Sequence, residues 1–265
     1  MESPSVSEVS SDHIVALGRN FLTNEEAVDR NPVNGLCIED TQYWIRLANT
    51  EERKTMSSVL VTRMYSGKGY NVTPGDSDPR ERASFTLLVQ DANGETIGTL
   101  SVGLDSVHGL YADILYPEEV NLLRSKGAIL CEFRKFAISP DVKNRRAIAS
   151  VFHIALLYTR KFFGVTDCIS EVTPEHSRFY RHFLEAEKIG GEKLCPRVNT
   201  VGVLMHLNMV HAEKRAIESG GQMNLAGDRS LYPYFFSPKD AEGILGRLME
   251  IEGPALEEIS RKFCP

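Results

Sequence analysis

Cysteine is scarce in this chain. Five residues in 265 (Cys37, Cys131, Cys168, Cys195 and Cys264) make an odd, scattered set with no Cys-x-x-Cys pair. That spacing argues against a disulfide framework and a structural zinc site, and a reducing cytoplasm is the expected setting. The first residues lack the basic-then-apolar pattern of a secretory leader. No apolar run approaches a membrane span, so no stable membrane insertion is expected. An excess of positive charge is missing too: 30 basic against 36 acidic residues give −6, which argues against a nucleic-acid partner. No HExxH, P-loop, kinase signature or Ser-His-Asp order is present, and no metal site is expected. Also absent is a Gln/Arg-x-x-Gly-x-Gly segment, the type that brings backbone amides close to a pyrophosphate. That lack counts against coenzyme A as a donor.

What is present is an ordinary globular composition, 42% hydrophobic and 25% charged. Residues 1–12, serine among acids, read as a disordered tail. Residues 13–208 read as one α+β core, without repeat or linker, and 209–265 as a C-terminal helical extension packed on it. Gln42–Leu47 reads as a strand, and Thr50 caps a helix that runs to Ser66. A long Gly/Pro/Asp-rich loop follows, of a length often associated with function. Ser84–Gln90 and Thr96–Leu104 are strands joined through Asn93-Gly94, a hairpin signal. Tyr116–Lys126 is a short helix with Pro117 in its first turn and Gly127 after its end. Ile148, Val151, Phe152, Ala155, Leu156 and Phe162 form one apolar helical stripe suited to a sheet face. Thr200–Leu207 is a late strand, and His211–Glu218 and Pro238–Lys262 are helices. The spacing therefore predicts the order β-α-β-β-(α)-β-α-β-α-β.

The densest information lies between Ile129 and Tyr180. Ile129–Ile138 is a strand with Glu132 inside it. Strict alternation puts Glu132 on one face with Leu130, Arg134 and Phe136. A carboxylate among apolar neighbours pays for desolvation and becomes a better base; an edge-strand glutamate paired with Arg134 is the other reading. Lys143-Asn144-Arg145-Arg146 then opens the next helix. Cations at a helix N-terminus oppose the dipole, so three of them point to an anionic partner, with a solvated charged face as the alternative. Pro174-x-His176-x-x-Phe179-Tyr180 opens the last core helix. There Phe179 and Phe183 read as core, and His176 as a capping or exposed group.

From about Tyr43 to Asn208 the chain resembles the long-chain N-acyl amino acid synthases, relatives of the acyl-homoserine-lactone synthases. The matching pieces are Tyr43-x-Ile45-Arg46-Leu47-Ala48, Tyr65 with Gly69-Tyr70, Gly98-Thr99-Leu100-Ser101 and Leu115-Tyr116-Pro117-Glu118-Glu119. They continue through Glu132 with Phe136-Ala137-Ile138, Thr166-Asp167, Pro174-x-His176-x-x-Phe179-Tyr180 and Cys195-Pro196. Ser230–Phe236 also looks similar to this group.

The resemblance implies a GNAT-like acyltransferase fold, α+β, with a central mixed and mostly antiparallel sheet flanked by helices. It implies transfer of a fatty acyl group from a phosphopantetheine thioester on acyl carrier protein to the α-amino group of an amino acid, with no further cofactor. Glu132 is then the catalytic residue that assists amine deprotonation. Arg134, Lys135, Tyr70 and His176 bind substrate, and Lys143, Arg145 and Arg146 meet the carrier. Where relatives read Glu-x-Ser-Arg, this chain reads Glu132-Phe133-Arg134-Lys135, so the substrate's carboxylate falls to Arg134 or to Lys135, which lacks the bidentate fork. Two alternatives stand beside this reading. One is an acyl-homoserine-lactone-type synthase, whose early-region Trp motif is not matched by the lone Trp44. The other is a non-catalytic module that binds acyl carrier or fatty acid.

Overall fold

The computed structural model describes residues 36–38 (backbone only), 43–66, 78–140, 142, 145–196, 199–223 and 225–263. The expected tail at 1–12, Tyr70 and Lys143 lie outside the described residues.

Eight strands form one sheet in the order β1-β2-β3-β4-β5-β6-β8-β7. They are β1 (Leu36–Ile38), β2 (Tyr43–Leu47), β3 (Ser84–Asp91), β4 (Thr96–Leu104), β5 (Leu130–Ile138), β6 (Asp167–Val172), β7 (Glu187–Cys195) and β8 (Thr200–Asn208). Every neighbouring pair is antiparallel except β5 and β6, which run parallel. The helices are α1 (Glu51–Ser66), α2 (Pro117–Ser125), α3 (Arg145–Phe163), α4 (Pro174–Phe183), α5 (Met209–Ser219) and α6 (Pro238–Lys262). No helix among the described residues is long and apolar enough to cross a membrane.

The local signals act as their chemistry predicts. In the β3–β4 hairpin the Asp91 carboxylate accepts from the Asn93 and Glu95 amides, both at 2.9 Å, and Gly94 supplies φ +80°. Thr173 caps α4 by accepting from the His176 amide, and Pro174 occupies its first turn. Pro117, Glu118 and Glu119 begin α2.

Two expectations change. The strands β1, before β2, and β7, between α4 and β8, are additional to the predicted order, and β7 is the longer of the two. Its Glu-Lys-Ile-Gly-Gly-Glu-Lys run has neither alternation nor β-branched density, so it is a strand because β8 pairs with it. A Cβ on Gly190 would lie 2.7 Å from both the Leu204 Cβ and the Tyr116 ring, so only glycine admits that close approach.

The second change concerns α3, predicted as a single apolar stripe. Residues 147–156 are buried without a break. The sheet covers one side, and α5, α6 and the aromatic loop around Tyr232–Tyr234 cover the other. The polar groups on that outer side find partners there. His153 Nδ1 accepts from the Phe236 amide at 3.0 Å, and the Tyr158 hydroxyl donates to Glu252 of α6. Glu252 also accepts from the Leu47 amide at 2.9 Å, tying α6 to the end of β2. Burial pushes the Glu252 carboxyl up, while Leu47, Tyr158, Arg53 and Arg46 pull it back only in part.

Candidate active site

The two parallel strands stay together for only three residue pairs: Leu130 with Asp167, Cys131 with Cys168, and Glu132 with Ile169. Beyond them β5 is paired with β4 and β6 with β8, so the sheet opens next to Glu132. Immediately past the opening β5 bulges. Ser101 faces Arg134 and Thr99 faces Ala137, so Leu100 stands opposite both Lys135 and Phe136. Lys135 absorbs the extra residue with φ +51°, a left-handed conformation that costs a side chain about 1–2 kcal/mol.

The bulge corrects the expected face. Phe136 does not share a side with Glu132. It packs on the α3 side, 4.9 Å from the Phe152 ring and 5.9 Å from Phe179, as does Phe133 at 5.9 Å from Phe152. Leu130 does lie with Glu132, in a small cluster with Leu110, Ala112 and Tyr116. Alternation holds up to Arg134 and then slips by one residue.

Glu132 is 5% exposed. Its Oε1 accepts from the Tyr111 amide at 3.0 Å and its Oε2 from the Ala112 amide at 3.1 Å, both at the head of the 3-10 turn Tyr111–Ile114. That turn is braced from behind. Asp113 accepts from the Leu110 amide, and Arg124 forks onto Asp105 and Asp113 at 2.6–2.8 Å. Gly103 of β4, opposite Glu132, leaves room for the carboxylate. A Cβ there would sit 3.2 Å from Glu132 Cγ and Oε1 and from Arg134 Nε.

Arg134 and Lys135, which regular alternation would send to opposite faces, converge on one carboxylate. Glu81, in the 3-10 turn Pro79–Ala83 before β3, accepts from Arg134 Nη1 at 3.2 Å and Nη2 at 3.0 Å, and from Lys135 Nζ at 3.0 Å. The Tyr111 hydroxyl donates to it at 3.3 Å. Burial pushes the Glu81 carboxyl up, but the charges of Arg134 and Lys135 outweigh this and hold it below its ordinary value. Arg134 Nε stands 3.6 Å from Glu132 Oε1. The Tyr111 ring lies between two guanidinium groups, Arg80 at 4.5 Å and Arg134 at 4.7 Å, and Arg80 forks onto Asp78. Glu81 and Tyr111 escape sequence reasoning, since they lie 51 and 21 residues before Glu132 on turns without a motif.

The other predicted site residues stand apart from this cluster. His176 is exposed in the first turn of α4, its Nδ1 3.0 Å from Thr173 Oγ1. Arg145 lies against the Phe183 and Tyr234 rings, at 5.4 and 5.5 Å, and Arg146 Nη1 reaches Met223 Sδ at 3.7 Å. These two cations are therefore partly folded onto the aromatic loop and the segment before it. A small apolar cavity lies on the α3 side of β5, bounded by Phe133, Phe152, Leu207, Met209 and Tyr232. Phe85, Leu87, Val102 and Leu104 are filled core, with Phe85 against Tyr158 and Phe163. No group of acidic, histidine and cysteine side chains suited to a metal occurs among the described residues.

A buried carboxylate at the point where two parallel strands part, with a bulge on one of them and two cations within reach, can take a proton from an amine and hold an anionic group beside it. Comparison with known proteins gives this arrangement a context. The family model of N-acyl amino acid synthase FeeM matches residues 56–208. Among solved structures, FeeM, an N-acyl amino acid synthase from uncultured soil microbes, superposes with a TM-score of 0.59 at 21% identity, covering 66% of this chain and 94% of that one. A chimera of the spermidine N-acetyltransferase SpeG from Vibrio cholerae with hSSAT reaches 0.43 at 13% identity, over 66% of this chain and 99% of that one. An N-acetyltransferase from Staphylococcus aureus Mu50 reaches 0.44 at 10%, over 63% and 98%. No curated protein matches the chain. The architecture is the GNAT-like α+β fold, with a central sheet flanked by helices and a C-terminal helix beyond it.

Proposed function

Because the chain belongs to the FeeM family of N-acyl amino acid synthases, we propose that it moves a long-chain acyl group from acyl carrier protein to the α-amino group of an amino acid. The observation that carries this reading is the position of Glu132, buried at the opening between β5 and β6 and beside the bulge. An α-amino group is mostly protonated at neutral pH, so attack on a thioester needs a base. Glu132, directly or through water, takes that proton. The amine nitrogen then bonds to the thioester carbonyl carbon, and the thiolate of the carrier's phosphopantetheine leaves and is reprotonated.

The bulge supports the second requirement. It takes backbone out of the ladder with β4 at Lys135–Phe136, so an N–H of this strand can receive the developing oxyanion. One such donor is worth about 3–4 kcal/mol in comparable sites. Arg134 and Lys135 receive the acceptor's carboxylate, as a side-on guanidinium fork and an ammonium are suited to do. The small apolar void behind Phe133 lies on the opposite face of β5 from Glu132 and is far too small for a long acyl chain as it stands, so a chain on that side would need the surrounding side chains to move. His176 and Tyr70 remain proposed substrate contacts. The reaction needs no cofactor beyond the thioester and suits a cytoplasmic enzyme.

Lys143, Arg145 and Arg146 form the proposed landing point for the acidic carrier. Expression in a bacterium followed by mass spectrometry of lipid extracts tests the whole reading. N-acylated amino acids with long saturated or monounsaturated chains are expected, and extracts identical to an empty-vector control despite folded protein would refute it. The docking part is tested by reversing Arg145 and Arg146 to Glu. Apparent affinity for acyl carrier protein should then fall steeply at low salt, since like charges across an interface cost several kcal/mol, and added salt should mimic the change. Unchanged affinity would place the landing point elsewhere.

A further inference from the structure

The two cations assigned above to the acceptor's carboxylate already hold one. Glu81 receives both terminal nitrogens of Arg134, one on each oxygen, and Lys135 Nζ joins Arg134 Nη1 on Oε1. This is the fork an α-carboxylate would take on a guanidinium. The Tyr111 and Ser84 hydroxyls, at 3.3 and 3.2 Å, complete its shell.

Three features mark Glu81 as an exchangeable partner of this site. It comes from outside the sheet, on a five-residue 3-10 turn, whereas both cations sit on β5. The cluster is charge-balanced without any ligand: Asp78, Glu81 and Glu132 face Arg80, Arg134 and Lys135. It also borders solvent, because the Lys135 side chain is 38% exposed and that of Glu81 19%. A zwitterion brings one charge of each sign. It can enter with every charge still paired only if its carboxylate takes the place of Glu81 on the cations and its ammonium stands near the carboxylates. A simple amine brings no carboxylate to make that exchange, and leaving a buried carboxylate without its cations is costly.

We propose that Glu81 is a specificity residue, an internal carboxylate that holds Arg134 and Lys135 in carboxylate-binding geometry and yields them to the acceptor amino acid. The proposal rests on the reading above that these two cations bind the acceptor. Glu81 pre-orders the site and at the same time competes with the substrate for it. The competition lowers apparent affinity by the fraction of molecules in which the cations are available.

Isothermal titration of the full chain with N-dodecanoylglycine, and with dodecanamide, which has the chain and no carboxylate, tests this. Wild type, in which Glu81 holds both cations, is expected to bind N-dodecanoylglycine weakly, because this anion brings no ammonium to pair with the displaced carboxylate. Glu81→Gln, with the competing charge gone, should bind it roughly fivefold or more tightly, with dodecanamide unchanged. Should Glu81→Gln fail to fold, Glu81→Asp keeps the charge but withdraws it by one methylene, and a smaller tightening in the same direction is expected. Unchanged or weaker binding of N-dodecanoylglycine by the folded variant, with the variant still preferring it to dodecanamide, would make Glu81 a fixed structural partner and overturn the proposal alone. A folded Glu81→Gln that binds both probes equally would overturn the carboxylate role of Arg134 and Lys135, and the proposal with it.

Discussion

Replacing Glu132 by Gln separates the catalytic from the structural role of this residue, because the two losses differ greatly in size. The carboxylate accepts one backbone amide on each oxygen, from Tyr111 at 3.0 Å and Ala112 at 3.1 Å. A glutamine side chain keeps one accepting oxygen and turns its NH2 toward the other amide, so one buried N–H loses its acceptor. That costs about 1–3 kcal/mol. For a chain of this size each kcal/mol shifts the melting temperature by about 2–4 °C, so a fall of roughly 5 °C is expected. A protein that keeps even 2 kcal/mol of stability is still about 97% folded, and unfolding therefore cannot explain a large loss of turnover at 25 °C. Loss of a positioned base, in contrast, lowers the rate about 10²–10⁴-fold. The assay pairs a thermal melt with product formation from an acyl thioester, read by mass spectrometry on the same sample. A melting point lowered as expected with turnover within a few-fold of wild type would show that Glu132 only caps the 3-10 turn, and the base would have to be sought elsewhere.

Two further outcomes follow from the same geometry. Gly103→Ala places a methyl group 3.2 Å from Glu132 Oε1 and from Arg134 Nε; displacement of the carboxylate by a few tenths of an ångström should lower turnover roughly tenfold or more, with a small change in melting temperature, and unaltered kinetics would show that the carboxylate's position is not critical. His153 is 3% exposed and stacked on Phe235 and Phe236, and burial pulls its pKa down to about 3. The folded state keeps it neutral where the unfolded chain, near 6.5, takes up a proton. Stability should therefore fall as pH drops through the window from 6.5 toward 3, by about 1.4 kcal/mol per unit and roughly 2 kcal/mol by pH 5. His153→Asn, which keeps an acceptor for the Phe236 amide, should flatten that slope in melts between pH 7 and 5. An equal slope in the variant would assign the acid sensitivity to other groups.

The sequence alone determined the elements whose cause is local. The hairpin at Asn93-Gly94, the Pro117 and Pro174 helix starts and the strand carrying Glu132 follow from turn chemistry, caps and apolar runs, which act within a few residues. The same holds for Phe179 and Phe183, buried as their spacing required. Glu132 was legible as a carboxylate inside an apolar strand. Tertiary structure decided the rest, because each remaining feature depends on a partner far along the chain. β7 is a strand through pairing with β8, and α3 is buried all round from 147 to 156 because the C-terminal extension covers its outer side there. Alternation placed Phe136 beside Glu132, and one inserted residue in β5 moved it to the other face. The same insertion swung Lys135 toward Arg134, so two cations that period-two geometry separates meet on Glu81. A bulge leaves only a weak trace in sequence, since any residue able to tolerate a positive φ at a cost of about 1–2 kcal/mol can occupy it. In this chain that residue is Lys135, three positions after Glu132 on the same strand.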